Sequence, residues 1–149
     1  MMLNITIREI LQKKGASVYS LSPDHTVFEA IALMSAKNIG SVLVMHEGQL
    51  VGIMTERDYT RKVILEGRAS KDTPLHEIMS SPVVTTNPDN TVENCMRLVT
   101  LRRARHLPVL EEGKVIGIIS IGDLVKAIIS AQNVAIEQLE GYLSGKYPA

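Results

Sequence analysis

Apolar residues along this chain fall into two rhythms, and the rhythms succeed one another in the same order in both halves. At Val27, Ala30, Ile31 and Met34, and again at Val92, Cys95, Met96 and Val99, steps of three and four mark one face of a helix. Each of these runs follows a Pro-Asp turn, and each turn follows a short extended stretch, VYSLS in one half and VVTTN in the other. Downstream come the short apolar runs SVLVM and LVGIM, and in the second half HLPVL and VIGII. Glu47-Gly48 joins the first pair and Glu112-Gly113 the second, which predicts two β-hairpins. A further helix begins near Thr55 and near Ser120. At the earlier helix starts, Thr26 with Glu29 forms a capping box, whereas Thr91 caps without an acidic partner.

Sliding Val18 to Ile64 onto Val83 to Ile129 at a constant offset of 65 needs no gap, and 13 of the 47 pairs are identical, so the two halves are copies. Each copy reads strand, helix, strand, strand, helix, an α/β (α+β) unit. Short helical leaders, REIL at Arg8 to Leu11 and HEIM at His76 to Met79, stand ahead of the copies. The expected organisation is a first copy with its leader over 7–66, a linker and second leader over 67–82, a second copy over 83–130 and a helical tail over 131–149. The Gly, Ser and Pro residues between 66 and 82 punctuate the linker. The tail pattern runs through Ile128, Ile129, Gln132, Ile136, Leu139 and Leu143 to a Ser144-Gly145 stop.

Composition narrows the function. Sixteen Lys and Arg balance sixteen Asp and Glu, and one Phe, four Tyr and no Trp leave little to stack bases on, which disfavours nucleic acid. The chain has 149 residues, 45% of them hydrophobic, enough for a core. No apolar run has the length of a membrane span, and the first residues lack the pattern of a secretory signal. The single Cys95 suits a reducing compartment, and the expected location is the cytoplasm. Cys95 lies on the predicted buried helix face, and His25, His46 and His76 have no ligand-like spacing, so no metal site is expected.

The chemistry concentrates in GIMTERD, Gly52 to Asp58, repeated as GIISIGD, Gly117 to Asp123. A Thr or Ser at a helix start sets a hydroxyl beside unpaired backbone N–H groups and the positive end of the helix dipole, a seat for phosphate. An Asp three positions on sits in the first turn, where its oxygens can accept from the hydroxyls of a ribose. The preceding glycine admits a close approach of another backbone or of a ligand. The same spacing also makes an ordinary helix start, with the carboxylate placed favourably against the dipole.

Two gapless copies, each ending in Gly-apolar-apolar-Thr/Ser-x-x-Asp, resemble the tandem CBS domain pair, the Bateman module, over essentially the whole chain from Ile7 to about Leu143. MTERDYTRK, RHLPV and ISIGDLVK are similar to the small stand-alone CBS proteins. The resemblance implies a pseudo-twofold module that binds adenosine nucleotides of the AMP, ATP or NAD type in clefts between the copies. It implies that Asp58 and Asp123 hold ribose, and that Thr55 and Ser120 hold ribose or phosphate oxygens. It places Arg105 and His106 at phosphate, with Arg103 and Arg57 near enough in sequence to join them. Ser20 and Thr85 fall where the family offers backbone to the adenine edge, and Ile39, Gly40 and Pro108 complete the nucleotide set. Arg105 and His106 align with Gly40 and Ser41, so the two sites are expected to differ in their grip on phosphate.

The function expected from these residues is a non-catalytic regulatory module that senses an adenosine nucleotide and passes its occupancy to a partner. The nucleotide is a regulatory ligand, not a required cofactor. An enzyme using Asp58 or Asp123 with His106 is the alternative in a second class, but no nucleophile activated by a base is visible. An RNA- or DNA-binding CBS protein is the third. The family and the apolar stripe from Leu124 to Leu143 further imply a homodimer, with an unidentified protein as a possible target of the signal and no membrane partner.

Overall fold

Both acidic-glycine turns bend as their sequences require. Glu47 and Gly48 have φ of 49° and 78°, and Glu112 and Gly113 have 51° and 78°, the paired positive values of a tight hairpin. The computed structural model describes residues 4–143. The elements run α1 (Ile7–Lys14), β1 (Ser20–Leu21), α2 (Val27–Lys37), β2 (Ser41–His46), β3 (Gln49–Thr55), α3 (Glu56–Tyr59), α4 (Val92–Arg102), β4 (His106–Glu111), β5 (Lys114–Ser120) and α5 (Ile121–Leu143). A π-helical turn, Thr60–Ile64, continues α3, and 3-10 turns occupy Ser70–Asp72 and Leu75–Glu77. The mixed helix and sheet composition is the α+β class expected.

The chain divides into two units. The first-copy unit holds Ser17–Val84 and Glu112–Ile116; the second-copy unit holds the chain up to Ala16, Thr85–Glu111 and the chain from Gly117. In the first-copy unit β1 runs parallel to β2, with Ser20 opposite Leu43, and β2 runs antiparallel to β3, with Ser41 opposite Thr55 and Val44 opposite Gly52. Val27, Ala30 and Met34 of α2 pack over Val42, Val44 and Met54, and Val63, Leu75 and Ile78 close the same core. Thr26 caps α2 by accepting the Glu29 N–H at 3.2 Å, but the Glu29 carboxylate takes the Thr26 hydroxyl, not its amide, so the box is half made.

The segment expected as a linker carries the second leader into that core. Leu75 is fully buried; its N–H donates to the His25 carbonyl, the His76 N–H to Pro23, and the Val27 N–H to Thr73. The second-copy unit repeats these three bonds with α1 in place of the linker. The Ile7 N–H donates to Asn90, the Arg8 N–H to Pro88, and the Val92 N–H to Ile5. The range 7–66 groups α1 with the first copy, whereas α1 packs with the second. The physical reason is that each leader satisfies the Pro-Asp turn and the helix start of one copy through backbone bonds, and α1 does this for Pro88 to Val92.

The motif glycines serve the same contacts. A Cβ on Gly117 would lie 2.6 Å from Leu11 Cδ2, and one on Gly52 would overlap the Met79 side chain. Each glycine therefore admits the side chain of its own unit's leader. The second copy departs from the first where Pro108 replaces Leu43. Leu43 donates its N–H to the Tyr19 carbonyl, and proline has no N–H to do so. The extended stretch of the second copy accordingly shrinks to a single parallel bridge, Thr86 with Val109, beside the two-stranded sheet of β4 and β5. In the same unit Leu124 of α5 is buried, but residues 132–140 are exposed. The Ser144-Gly145 stop lies outside the described residues.

Candidate functional site

Each motif forms a corner where a strand ends and a helix begins. In the first-copy unit the Glu56 N–H donates to the Gly40 carbonyl at 3.2 Å, which ties the end of β3 to the start of β2. In the second-copy unit the Ile121 N–H donates to the Arg105 carbonyl at 2.9 Å and ties β5 to β4 in the same way. The hydroxyl and the carboxylate of each motif then close on one another. Thr55 Oγ1 accepts the Asp58 N–H at 3.2 Å while Asp58 Oδ2 accepts the Thr55 N–H at 3.0 Å. Ser120 Oγ accepts the Asp123 N–H at 3.2 Å while Asp123 Oδ2 accepts the Ser120 N–H at 2.8 Å. Both motifs are thus complete capping boxes. Three amides at each corner, those of Thr55, Glu56 and Asp58 and those of Ser120, Ile121 and Asp123, are already taken, so an anion there would depend on side chains.

The two carboxylates differ in what they have left. Asp58 is buried, its Oδ2 also takes the Thr55 hydroxyl, and its Oδ1 takes the Ser80 hydroxyl at 3.0 Å and Lys62 Nζ at 3.1 Å. Lys62 in turn donates to the Ile78 carbonyl, so the first-copy carboxylate is the centre of a closed network. Asp123 uses one oxygen: Oδ2 takes the Ser120 pair and Lys14 Nζ at 2.6 Å. Its Oδ1 has no protein partner among the described residues, and its side chain keeps 21% of its exposure. Lys14, at the last turn of α1, also donates to the Ile118 carbonyl at 2.8 Å.

The remaining predicted residues distribute between the units. Ser20, Ile39, Gly40, Thr55, Arg57 and Asp58 belong to the first-copy unit, and Thr85, Arg103, Arg105, His106, Pro108, Ser120 and Asp123 to the second. In the first, Ser20 lies exposed opposite Leu43 and Arg57 projects exposed from α3; Ile39 is half-buried, just before Gly40. In the second, His106 opens β4, half-buried, and Arg105 is exposed with no ion pair among the described residues. Arg103 is exposed at the end of α4 with φ of 53°, in the left-handed region that Asn38 occupies in the first copy. Pro108 is buried and offers its carbonyl to the Thr86 N–H, one residue past Thr85. Lys62, Lys14 and Ser80 were not in the predicted set. Lys62 stood four residues beyond Asp58 and could have been found by helical spacing; Lys14 and Ser80 approach only in the fold.

Burial pushes the Asp123 carboxyl up, but the Lys14 ammonium and the Ser120 donors outweigh it and hold the group below its ordinary value. A carboxylate lowered in the folded state stabilises the fold above its unfolded value, about 3.9, and that contribution fades as pH falls through the folded value. Lys14→Met removes the ammonium. The wild type is expected to lose stability more steeply than Lys14→Met below about pH 4, the two converging at the acid end. Urea midpoints across that range measure this, and parallel curves would show that the pair contributes nothing.

Among the described residues no group of three or more His, Cys, Asp or Glu side chains is placed to hold a metal ion, and no helix is long and apolar enough to cross a membrane. Cys95 is fully buried on α4, 3.3 Å from the Thr86 hydroxyl, and burial pushes its thiol up despite that contact.

Comparison with known proteins agrees with this architecture. The family model for the CBS domain matches residues 5–64 and 75–130. The mitochondrial CBS domain-containing protein CBSX3 of Arabidopsis thaliana is 36% identical over 95% of this chain and 73% of its own length. A crystal structure of a CBS domain shares 52% identity with a TM-score of 0.80, covering 83% of this chain and 97% of its own. A Burkholderia ambifaria structure described as a candidate signal-transduction protein with CBS domains shares 46% identity with a TM-score of 0.82, covering 85% of this chain and 96% of its own.

Proposed function

The chain belongs to the CBS domain family, in which it forms a tandem pair, and from that premise we propose that it is a non-catalytic regulatory module whose ligand is an adenosine nucleotide of the AMP, ATP or NAD type. The observation that carries the reading is Asp123. Its Oδ2 is fixed by the capping box and Lys14, which orients the carboxylate, and its partly exposed corner leaves Oδ1 to accept from a ribose hydroxyl. Arg105, whose backbone is anchored on Ile121 while its side chain is exposed, supplies positive charge for the phosphate, with His106 next to it and Arg103 two residues before it. Asp58, with both oxygens committed, is the weaker of the two ribose ligands. The module works as a homodimer, since the exposed apolar positions of α5 need a cover, and hands nucleotide occupancy to a protein target in the cytoplasm.

Thermal unfolding tests the ligand class. AMP at about 100 times its dissociation constant adds about 2.7 kcal/mol to the folded state, which raises the melting temperature of a chain this size by several degrees. AMP is expected to protect clearly and dAMP less. Equal protection by both would remove ribose recognition, and no protection by AMP, ATP or NAD would remove the nucleotide reading itself.

A further inference from the structure

Along α5, Val125, Ile129, Gln132, Ile136, Leu139 and Leu143 succeed one another in steps of four, three, four, three and four, the spacing of a coiled-coil seam. The five apolar members are between 41% and 80% exposed. The helix from 132 to 140 is exposed around its whole circumference, so nothing among the described residues covers it. These residues extend α5 well beyond its buried Leu124, and in proteins a helix draws most of its stability from packing an apolar face. The occupant follows from charge. Lys126 and Glu140 each stand one residue past a seam position, Val125 and Leu139, so both flank the seam on the same side. Both are exposed, and neither forms an ion pair among the described residues.

We propose that α5 pairs with α5 of a second copy of this chain, antiparallel and centred near Asn133. In that register Lys126 of each copy meets Glu140 of the other, giving two identical ion pairs, and the seam packs Val125 on Leu143, Ile129 on Leu139 and Gln132 on Ile136. A parallel pair would set Lys126 and Glu140 beside Ile121 and Ala135 and leave both charges without partners. The inference rests on the homodimer reading above and assigns its surface, its direction and its register.

Sedimentation of the full chain over a range of concentrations tests it. Ile136→Asp changes a side chain that is exposed in the single copy, so circular dichroism should stay as in the wild type while the dimer dissociation constant rises about 100-fold or more. Lys126→Glu and Glu140→Lys should each weaken the dimer by about 10-fold, and the double variant should restore it to within about threefold of the wild type. A wild type that is monomeric throughout would overturn the homodimer reading and this inference together. A dimer that survives Ile136→Asp would leave the homodimer standing and overturn the α5 seam alone. Single charge variants without effect, or a double variant that fails to restore pairing, would overturn the antiparallel register.

Discussion

Asp123→Asn is expected to cut AMP affinity by about 10- to 150-fold while leaving the fold intact, and Asp58→Asn to act in the opposite sense, on stability more than on affinity. The first figure is the loss of a charge-assisted hydrogen bond of about 1.5 to 3 kcal/mol between Oδ1 and ribose. Asn is itself a good residue at helix starts, and the Asp123 side chain is partly in water, so its cap survives. Asp58 is different because four donors converge on it: the Thr55 amide and hydroxyl, the Ser80 hydroxyl and Lys62. An amide turns one of those acceptors into a donor inside a buried network, at about 1 to 3 kcal/mol. Isothermal titration and urea unfolding of the two variants separate the effects. If Asp58→Asn lost nucleotide and kept its stability while Asp123→Asn did neither, the first copy would be the ribose site and the assignment to Asp123 would be wrong.

That division was only partly legible in the sequence. The duplication, both hairpins and both helix starts could be read because their signals are local: an acidic-glycine turn demands positive φ at two adjacent residues, and a hydroxyl three residues before a carboxylate demands a helix start. The inequality of the carboxylates was only partly local: Lys62, four residues beyond Asp58, aligns with Ala127 in the second copy. The motifs themselves differ at Met54/Ile119, Thr55/Ser120, Glu56/Ile121 and Arg57/Gly122, but the rest of the difference in what each Asp can bind comes from Ser80 in one unit and Lys14 in the other, which approach only in the fold. Pattern reading also gave the motif glycines a role in admitting ligand or backbone, and their neighbours in the fold are Met79 and Leu11. Both are leader residues, and which leader serves which copy has no signature in periodicity. REIL and HEIM look alike as amphipathic turns, and each precedes a copy in chain order. What decides between them is the set of backbone bonds to Pro23, His25, Pro88 and Asn90, which join residues up to 83 positions apart.

Ile7→Ala is expected to destabilise the protein by about 2 to 5 kcal/mol, the loss for emptying a large aliphatic site in a core. Ile7 is fully buried, and the backbone around it is fixed at both ends, by its own N–H on Asn90 and by the Ile5 carbonyl under Val92, so the surroundings have little freedom to collapse into the space. Its neighbour supplies the control. Arg8 pairs with Asp89 and Glu111 at the surface, and exposed ion pairs contribute about 0 to 1 kcal/mol, so Arg8→Ala should be nearly silent. Hydrogen exchange locates the damage. Because α1 packs with the second copy, Ile7→Ala should speed exchange first at Leu107, Val109 and Ile119, whereas Leu75→Ala, the matching change in the linker leader, should do so first at Val42, Val44 and Met54. If Ile7→Ala instead opened Val42, Val44 and Met54 first, α1 would belong with the first copy as chain order alone suggests, and the pairing of leaders with copies drawn from the backbone bonds would be wrong.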